Sequence, residues 1–165
     1  MSPSPLDLVS LFAALDSIPG LRCVLIGGLA VMVHGGTRMT EDADLAIAFD
    51  IDNRRKVVAA LAPLNPRPLR YSGKSPFIWD EKSIRAPWTI FMTDAGRIDL
   101  IVRLPGIDSF DGLYERSLVF DAAGVAIRVA AIEDLIAIKT QADRDRDRDD
   151  VNQLRALQTI HAESS

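Results

Sequence analysis

The sequence predicts an α+β fold in which a small mixed sheet is flanked by helices. Three observations support this prediction: segments with helical spacing alternate with short apolar segments, a turn joins two β-rich segments, and two helical segments follow them. The 165 residues are 48% hydrophobic and 25% charged, as is usual for a soluble globular protein. We therefore expect a single domain over residues 1–165, and neither a disordered chain nor a fibrous repeat.

The first half of the chain alternates predicted helices and strands. Leu8, Leu11, Phe12 and Leu15 recur at helical spacing, and Pro19 ends that helix. The predicted elements in this half are a helix over 5–18, a strand over 22–26, a helix from the Gly27–Gly28 pair to residue 33, a strand over 44–49 and a helix over 52–61.

The second half begins with an irregular, proline-rich segment over residues 65–87, which predicts loops with short strands. Residues 88–93 and 97–103 predict a hairpin around the turn Asp94-Ala95-Gly96. Further predicted elements are strands over 118–122 and 125–129 and helices over 132–142 and 151–160. The alternating Asp and Arg run over 143–150 predicts a solvated segment between these helices, with internal ion pairs of little energetic value. The alternative is that Arg144 and Asp147 face a functional site while the other residues of the run face water.

The net charge and the cysteine content indicate which classes of protein and which cellular location are expected. The 19 Lys and Arg against 23 Asp and Glu give a net charge of -4, which argues against a protein that wraps long nucleic acid by charge alone. Cys23 is the single cysteine, so no internal disulfide forms and a cytoplasmic location is expected. Residues 1–5 lack the pattern of a signal peptide, and the apolar run over 23–33 is too short to span a membrane.

Three aspartates occupy apolar strand contexts. Asp42 and Asp44 flank Ala43, and residues i and i+2 of a strand share a face with Cα atoms about 6.5 Å apart. Asp99 lies among strand-forming residues, where a carboxylate needs compensation for its burial. Mg²⁺ would provide that compensation, because it prefers oxygen ligands, and three carboxylates can hold two ions about 4 Å apart. Asp-x-Asp by itself is equally typical of a turn at a strand edge.

The Gly27–Gly28 pair follows a strand and opens a helix. Glycines let a backbone approach a phosphate closely, and free N–H groups at a helix start attract anions. The pair therefore indicates either a phosphate-binding turn or a tight strand-to-helix turn without a ligand.

Residues 24–45, which combine this glycine pair with Asp-x-Asp about a dozen residues later, resemble the core of the nucleotidyltransferase (polymerase beta-like) superfamily. The form Arg38-x-Thr40-x-Asp42-x-Asp44 is similar to a minimal branch related to the AbiEii toxins of toxin–antitoxin systems. Residues 131–139, followed by Arg144, Asp147 and Asp150, resemble the same branch. The resemblance extends over residues 21–157 in three blocks, and it implies a nucleotidyltransferase-type sheet.

The resemblance implies roles for individual residues. Asp42 and Asp44 match the metal-binding pair, and Asp99 matches the third carboxylate, which helps to activate the acceptor hydroxyl. Gly27 and Gly28 match the phosphate-binding turn, although the wider superfamily often has a serine where Gly28 offers only its N–H group.

Further positions match the family with alternatives left open. Lys139 matches a lysine that meets the triphosphate, and Asp147 matches the acid that follows it; without the resemblance, Lys139 reads as a helix-surface lysine. Arg38 and Thr40 either steady the loop before Asp42 or, for Arg38, touch phosphate. Trp79 and Trp88 are expected in the core or on a partner surface rather than as base-stacking platforms.

The implied activity is Mg²⁺-dependent transfer of a nucleoside monophosphate from an NTP to an acceptor hydroxyl. The acceptor is a tRNA, a protein or a small molecule, and its site lies in residues 63–87 or is completed by a homodimer. The branch further implies a toxin with a cognate antitoxin, and no membrane partner. The alternative is a catalytically inactive module of the same fold that binds a nucleotide or a partner protein; a third is a structural subunit whose acids are incidental.

Overall fold

The computed structural model describes residues 5–165 and contains helices packed on a seven-stranded sheet. The helices are α1 (Leu8–Asp16), α2 (Gly27–Val33), α3 (Ile51–Leu61), α4 (Phe110–Arg116), α5 (Ile132–Ala142) and α6 (Asp145–Glu163), with short 3-10 turns at Ala62–Leu64 and Glu81–Ser83. The strands are β1 (Cys23–Ile26), β2 (Asp42–Ile47), β3 (Arg67–Pro68), β4 (Trp88–Thr93), β5 (Gly96–Ile101), β6 (Leu118–Ala122) and β7 (Val125–Val129). The predicted α+β class is confirmed.

The sheet is mixed, with strand order β3-β4-β5-β2-β1-β7-β6. β1 pairs antiparallel with β2, whereas β2 pairs parallel with β5 and β1 pairs parallel with β7. The predicted hairpin of β4 and β5 forms an antiparallel pair around the turn at Asp94 and Ala95. Because β2 and β5 are parallel neighbours, residues that lie far apart in the sequence meet side by side at the centre of the sheet.

The two faces of the sheet have different surroundings. Leu45, Phe91 and Ile98 belong to one face and are fully buried in the core, where α1 contributes Phe12 and Leu15. Side chains of a strand alternate between faces, so the neighbouring positions on β2 and β5 point to the opposite face. That opposite face carries the predicted acidic residues.

Two segments differ from the sequence-based expectation. Helix α4 is not expected from the sequence, because the segment is short, contains Gly112 and buries only Leu113. The Ser109 side chain caps this helix by accepting a hydrogen bond from the Gly112 N–H. Helix α6 begins at Asp145, inside the run expected to be solvated. That expectation is wrong for Asp147 and Asp150, which are buried because ion pairs from neighbouring elements compensate their charge.

Smaller boundary differences occur at strands. β2 covers Asp42–Ile47 rather than 44–49, and β5 ends at Ile101. No helix of the described residues is both long and apolar enough to cross a membrane. The expectation about a signal peptide concerns residues 1–5, of which 1–4 lie outside the described residues.

Candidate active site

Three carboxylates meet on adjacent strands. Asp44 of β2 lies directly opposite Asp99 of β5 in the parallel register, and Asp42 shares its face because it lies two residues before Asp44. One oxygen from each carboxylate lies within 4.8 Å of the others. The structure therefore brings together the three acids that the sequence singled out.

The surroundings of Asp44 favour its protonated form. Burial, followed by the charges of Asp42 and Asp99, raises the pKa of Asp44 to about 7, although Arg97 and Lys139 act in the opposite direction. Among residues 5–165, no hydrogen bond is donated to the Asp44 carboxylate, whereas its two neighbours each accept one or more. The carboxylate is thus left with negative charge that a cation would neutralise.

Thr40 and Arg97 orient the other two acids. The Thr40 hydroxyl donates a 2.8 Å hydrogen bond to Asp42 Oδ1. Arg97 donates from Nε and Nη2 to the two oxygens of Asp99, at 2.9 and 3.1 Å, and its Nε lies 3.8 Å from Asp42 Oδ2. Thr40 therefore supports the loop before the acidic pair, which is one of the two roles considered for this loop.

The Gly27–Gly28 turn lies against the acids. Gly27 has φ +70, and a Cβ at this position would overlap the Asp44 carboxylate. A Cβ at Gly28 would lie 3.0 Å from Arg38 Nη2 and 3.3 Å from the Thr40 Cβ. Glycine is needed at Gly27 for both backbone conformation and space, and the turn lies directly against Asp44.

A second, mostly buried charge cluster adjoins the turn. Lys139 Nζ donates to Asp150 Oδ2 at 2.6 Å and lies 3.5 Å from Asp147 Oδ1. Arg38 donates to both oxygens of Asp150, at 3.1 and 2.9 Å, and Arg144 Nε donates to Asp147 at 2.7 Å. Lys139 is therefore a buried, paired lysine rather than the helix-surface lysine of the alternative interpretation.

These ion pairs favour the charged forms of the buried Asp147 and Asp150. Burial alone would raise the pKa of Asp150, but hydrogen bonds from Arg38 and Lys139 outweigh it and hold that pKa below its ordinary value. Burial of Asp147 is likewise outweighed by its bond from Arg144, so its pKa is lowered. A charged carboxylate repels phosphate, so Asp147 suits a supporting position better than a phosphate contact.

Two residues of the site were not among the predicted site residues. Arg97 precedes Asp99 by two residues, so strand alternation places both on one face, and this spacing is the signal that could have found it. Asp150 follows Asp147 by three residues, which places both acids on one side of a helix. This spacing was not recognised as a signal because residues 143–150 were expected to be a solvated segment between two helices.

On the β4 side, the sheet face that carries the acids has apolar side chains that are exposed or half-buried. Ile90 lies opposite Asp99, and Trp88 lies opposite Ile101, so these side chains share the face of the acids. Trp88 is 56% exposed, and Ile90 and Ile101 are half-buried. Trp88 is therefore a surface residue, whereas Trp79 packs edge-on against Phe91 in the core.

Residues 7–164 match the model of a family described as "Nucleotidyltransferase of unknown function (DUF6036)". The chain belongs to this nucleotidyltransferase family. The predicted superfamily and enzyme class are thereby confirmed, while the family description does not name the AbiEii branch.

Solved structures share the fold of this nucleotidyltransferase at low sequence identity. The lincosamide antibiotic adenylyltransferase LnuA, bound to lincomycin, matches with TM-score 0.58 and 16% identity over 93% of this chain and 99% of that chain. The antibiotic-resistance factor ANT(2'')-Ia matches with TM-score 0.57 and 17% identity, over 93% and 81% of the two chains. An antigenic nucleotidyltransferase-like protein from Paracoccidioides brasiliensis matches with TM-score 0.54 and 15% identity, over 95% and 79%. No curated protein sequence matches the chain.

Proposed function

We propose that this nucleotidyltransferase moves a nucleoside monophosphate from an NTP to an acceptor hydroxyl and releases pyrophosphate. The observation that carries the proposal is the convergence of Asp42, Asp44 and Asp99 within 4.8 Å beside the Gly27–Gly28 turn. In this reaction the acceptor oxygen bonds to the α-phosphorus while the bond from the α-phosphorus to the bridging oxygen breaks. The acceptor proton is taken up by a carboxylate, and the electron pair leaves with pyrophosphate.

The donor set fits Mg²⁺. All three side chains offer hard oxygen ligands, which Mg²⁺ prefers, and Asp44 has negative charge that no described donor neutralises. Asp42, Asp44 and Asp99 would hold the ion. When bound, Mg²⁺ supplies neutralisation of the triphosphate and polarisation of the attacking oxygen.

Residues of the protein itself carry out proton transfer and phosphate binding. Asp99 accepts the proton of the acceptor hydroxyl, and the two hydrogen bonds from Arg97 fix the orientation of its carboxylate. Gly27 and Gly28 offer backbone N–H groups to the phosphates, with Arg38 and Lys139 as nearby positive charges. Catalysis of this kind rests on positioning and on charge compensation.

The acceptor approaches from the β4 side, where Trp88 is exposed on the sheet face that also carries Asp99. Trp88, Ile90 and Ile101 form an apolar surface next to the residue that would activate the hydroxyl. This surface suits an acceptor with an apolar or ring-bearing portion. A small molecule of the kind that LnuA holds, a tRNA end and a protein side chain are the candidate classes.

The pattern Arg38-x-Thr40-x-Asp42-x-Asp44 supports a biological role as the cytoplasmic toxin of a toxin–antitoxin pair, with a cognate antitoxin as partner. The competing interpretation is an inactive module that binds a nucleotide or a partner. The complete set of three acids supports activity, since an inactive copy has no reason to retain them.

The test measures transfer of label. The protein is incubated with Mg²⁺ and each of the four NTPs labelled at the α-phosphate, together with total RNA, cell protein or a small-molecule extract. We expect label in one acceptor class from an α-labelled NTP and none from the same NTP labelled at the γ-phosphate, because the γ-phosphate leaves in pyrophosphate.

The Asp42→Ala, Asp44→Ala double variant provides the decisive comparison. It should lose at least roughly a thousandfold in rate, since metal-held charge contributes several kcal/mol to the transition state. Asp149→Ala, which removes an exposed acid of α6, is the matched control and should retain activity. Transfer that persists in the double variant would refute the metal site, and NTP binding without transfer to any acceptor would favour the inactive module.

A further inference from the structure

Asp150 binds two cations that come from different parts of the chain. Arg38, from the loop between α2 and β2, donates two hydrogen bonds to it, and Lys139 of α5 donates a third at 2.6 Å. The Asp150 side chain is 1% exposed. The Asp150 carboxylate is therefore shielded from water, in an environment where charge pairing is strong and geometry is well defined.

Both cations lie near the predicted phosphate-binding turn. The Arg38 guanidinium packs against Gly28, because a Cβ there would lie 3.0 Å from Arg38 Nη2. Lys139 lies beside Arg38, because its Nζ and the Arg38 guanidinium both donate to the Asp150 carboxylate. The Arg38 side chain is 37% exposed, whereas that of Lys139 is 7% exposed. Arg38 is therefore hydrogen-bonded to Asp150 and is also accessible to solvent.

The loop that carries Arg38 is held to α6 at a second point. The backbone N–H of Thr37 donates to Gln153 Oε1 at 3.1 Å. Without these contacts, an arginine in a loop would sample many rotamers, and ordering it on ligand binding would cost free energy. The contacts to α6 keep the guanidinium ordered before a ligand arrives.

The charge balance of the cluster leaves an attraction for an anion. Arg38, Lys139 and Arg144 carry three positive charges, whereas Asp147 and Asp150 carry two negative charges. Counted without the acids Asp42, Asp44 and Asp99, the cluster thus has one positive charge in excess, and Arg38 lies against Gly28 of the turn. Asp150 itself, being buried and already bonded to two cations, makes no contact with an incoming phosphate.

We propose that Asp150 is a positioning residue for the triphosphate: it holds Arg38 and Lys139 at the Gly27–Gly28 turn so that both cations meet the β- and γ-phosphates. This inference rests on the proposed function, because it assumes that the turn binds an NTP. It assigns to one buried carboxylate of α6 the alignment of two phosphate-binding side chains from elsewhere in the chain.

The test compares ligands that differ in phosphate number. Affinities are measured by titration calorimetry with Mg²⁺ and the α,β-methylene nucleoside triphosphate that the wild type binds most tightly, and with the corresponding monophosphate. For Asp150→Asn we expect triphosphate affinity to fall by roughly 10- to 100-fold, the range typical for residues that orient a binding group. Affinity for the monophosphate should stay within about twofold, since it lacks the phosphates that the two cations meet.

Two further variants separate positioning from folding. Asp134→Asn also breaks an ion pair of a buried aspartate, with Arg116 at 2.8 Å, but with an arginine that does not contact the turn, so it should leave both affinities unchanged. Arg38→Ala should reproduce the selective loss without removing a fully buried charge. Adding Asp150→Asn to Arg38→Ala should then cost less than Asp150→Asn costs alone, because one of the two cations is already missing.

The results distinguish a failure of the positioning role from a failure of the proposed function. Equal losses for the triphosphate and the monophosphate, or full additivity of the two substitutions, would overturn the positioning role while leaving the proposed function intact. A wild-type protein that binds none of the four triphosphate analogues with Mg²⁺ would instead overturn the proposed function and, with it, the premise of this inference.

Discussion

Asp44 and Asp99 lie opposite each other on the parallel strands β2 and β5, and burial together with the charges of Asp42 and Asp99 destabilises the charged form of Asp44. The pKa of Asp44 is raised to about 7, so this residue titrates within the range in which proteins are usually handled. Several measurable properties depend on that titration.

Mg²⁺ affinity should depend on pH because the ion binds the ionised carboxylate. Below pH 7, Mg²⁺ must displace a proton from Asp44, so its affinity should fall about tenfold for each pH unit between 7 and 5.5 and level off above pH 8. Calorimetric titration in buffers of different ionisation enthalpy measures both the affinity and the proton release. A constant affinity from pH 6 to 8 without proton release would contradict the prediction.

Asp44→Asn should stabilise the metal-free protein at high pH. The folded state binds the Asp44 proton more tightly than the unfolded state, whose pKa is near 3.8, so the wild type loses stability as pH rises from about 4 to 7. At pH 8 the substitution should add roughly 2–4 kcal/mol to the free energy of unfolding, since one pKa unit is about 1.4 kcal/mol. Chemical denaturation at pH 8 and pH 4 tests this, and equal effects at both values would argue against it.

Gly27→Ala should disrupt the site, whereas Gly124→Ala should only strain the backbone. Both glycines have positive φ, but a Cβ at Gly27 overlaps the Asp44 carboxylate and a Cβ at Gly124 meets nothing within 4 Å. Both variants should lose about 1–2 kcal/mol of stability through the left-handed backbone conformation. Only Gly27→Ala should also lose Mg²⁺ binding by calorimetry, and equal Mg²⁺ affinity in the two variants would show that Asp44 does not need this space.

Arg97→Leu should move the pH midpoint of Mg²⁺ binding upward. Arg97 lowers the pKa of Asp44 by its positive charge, so its removal should raise the midpoint by roughly one pH unit. Arg67→Leu is a suitable control because Arg67 is an exposed arginine of the neighbouring strand β3, paired with the exposed Asp94. An unchanged midpoint in Arg97→Leu, or an equal shift in both variants, would speak against the electrostatic role of Arg97.

Trp88→Ala should weaken acceptor use without affecting the nucleotide. Trp88 shares the sheet face of Asp99 and is mostly exposed, so its loss should raise the KM for the acceptor about tenfold while the KM for the NTP stays constant, as for removal of a large aromatic contact of about 1.4 kcal/mol. Ile160→Ala, an exposed apolar residue of α6, serves as the control. Equal KM values for the acceptor in wild type and Trp88→Ala would place the acceptor elsewhere.

The acidic residues could be predicted because local sequence rules apply to them. Asp-x-Asp in a strand fixes a shared face for Asp42 and Asp44, and the apolar neighbours of Asp99 reveal a carboxylate in need of compensation. The parallel pairing of β2 with β5, which sets Asp44 against Asp99, is a long-range contact. Local patterns do not determine such a pairing or its parallel direction.

The charge cluster of α6 shows where local rules fail. An alternating Asp and Arg run is typical of a solvated surface, and nothing within it distinguishes Asp147 and Asp150 from the exposed acids beside them. Their burial depends on Lys139 and Arg38, which lie on other elements. Tertiary charge pairing therefore accounts for the burial of these two acids, against the local expectation.

The link between Arg38 and Asp150 spans 112 residues of sequence, and this separation has a consequence for biosynthesis. A nascent chain on the ribosome exposes the acids of β2 early, but the partner that anchors Arg38 is translated long afterwards. A polypeptide interrupted by a premature stop codon before residue 150 would lack that anchor altogether. The proposed phosphate site is thus complete only after α6 has been synthesised and has packed against the loop that carries Arg38.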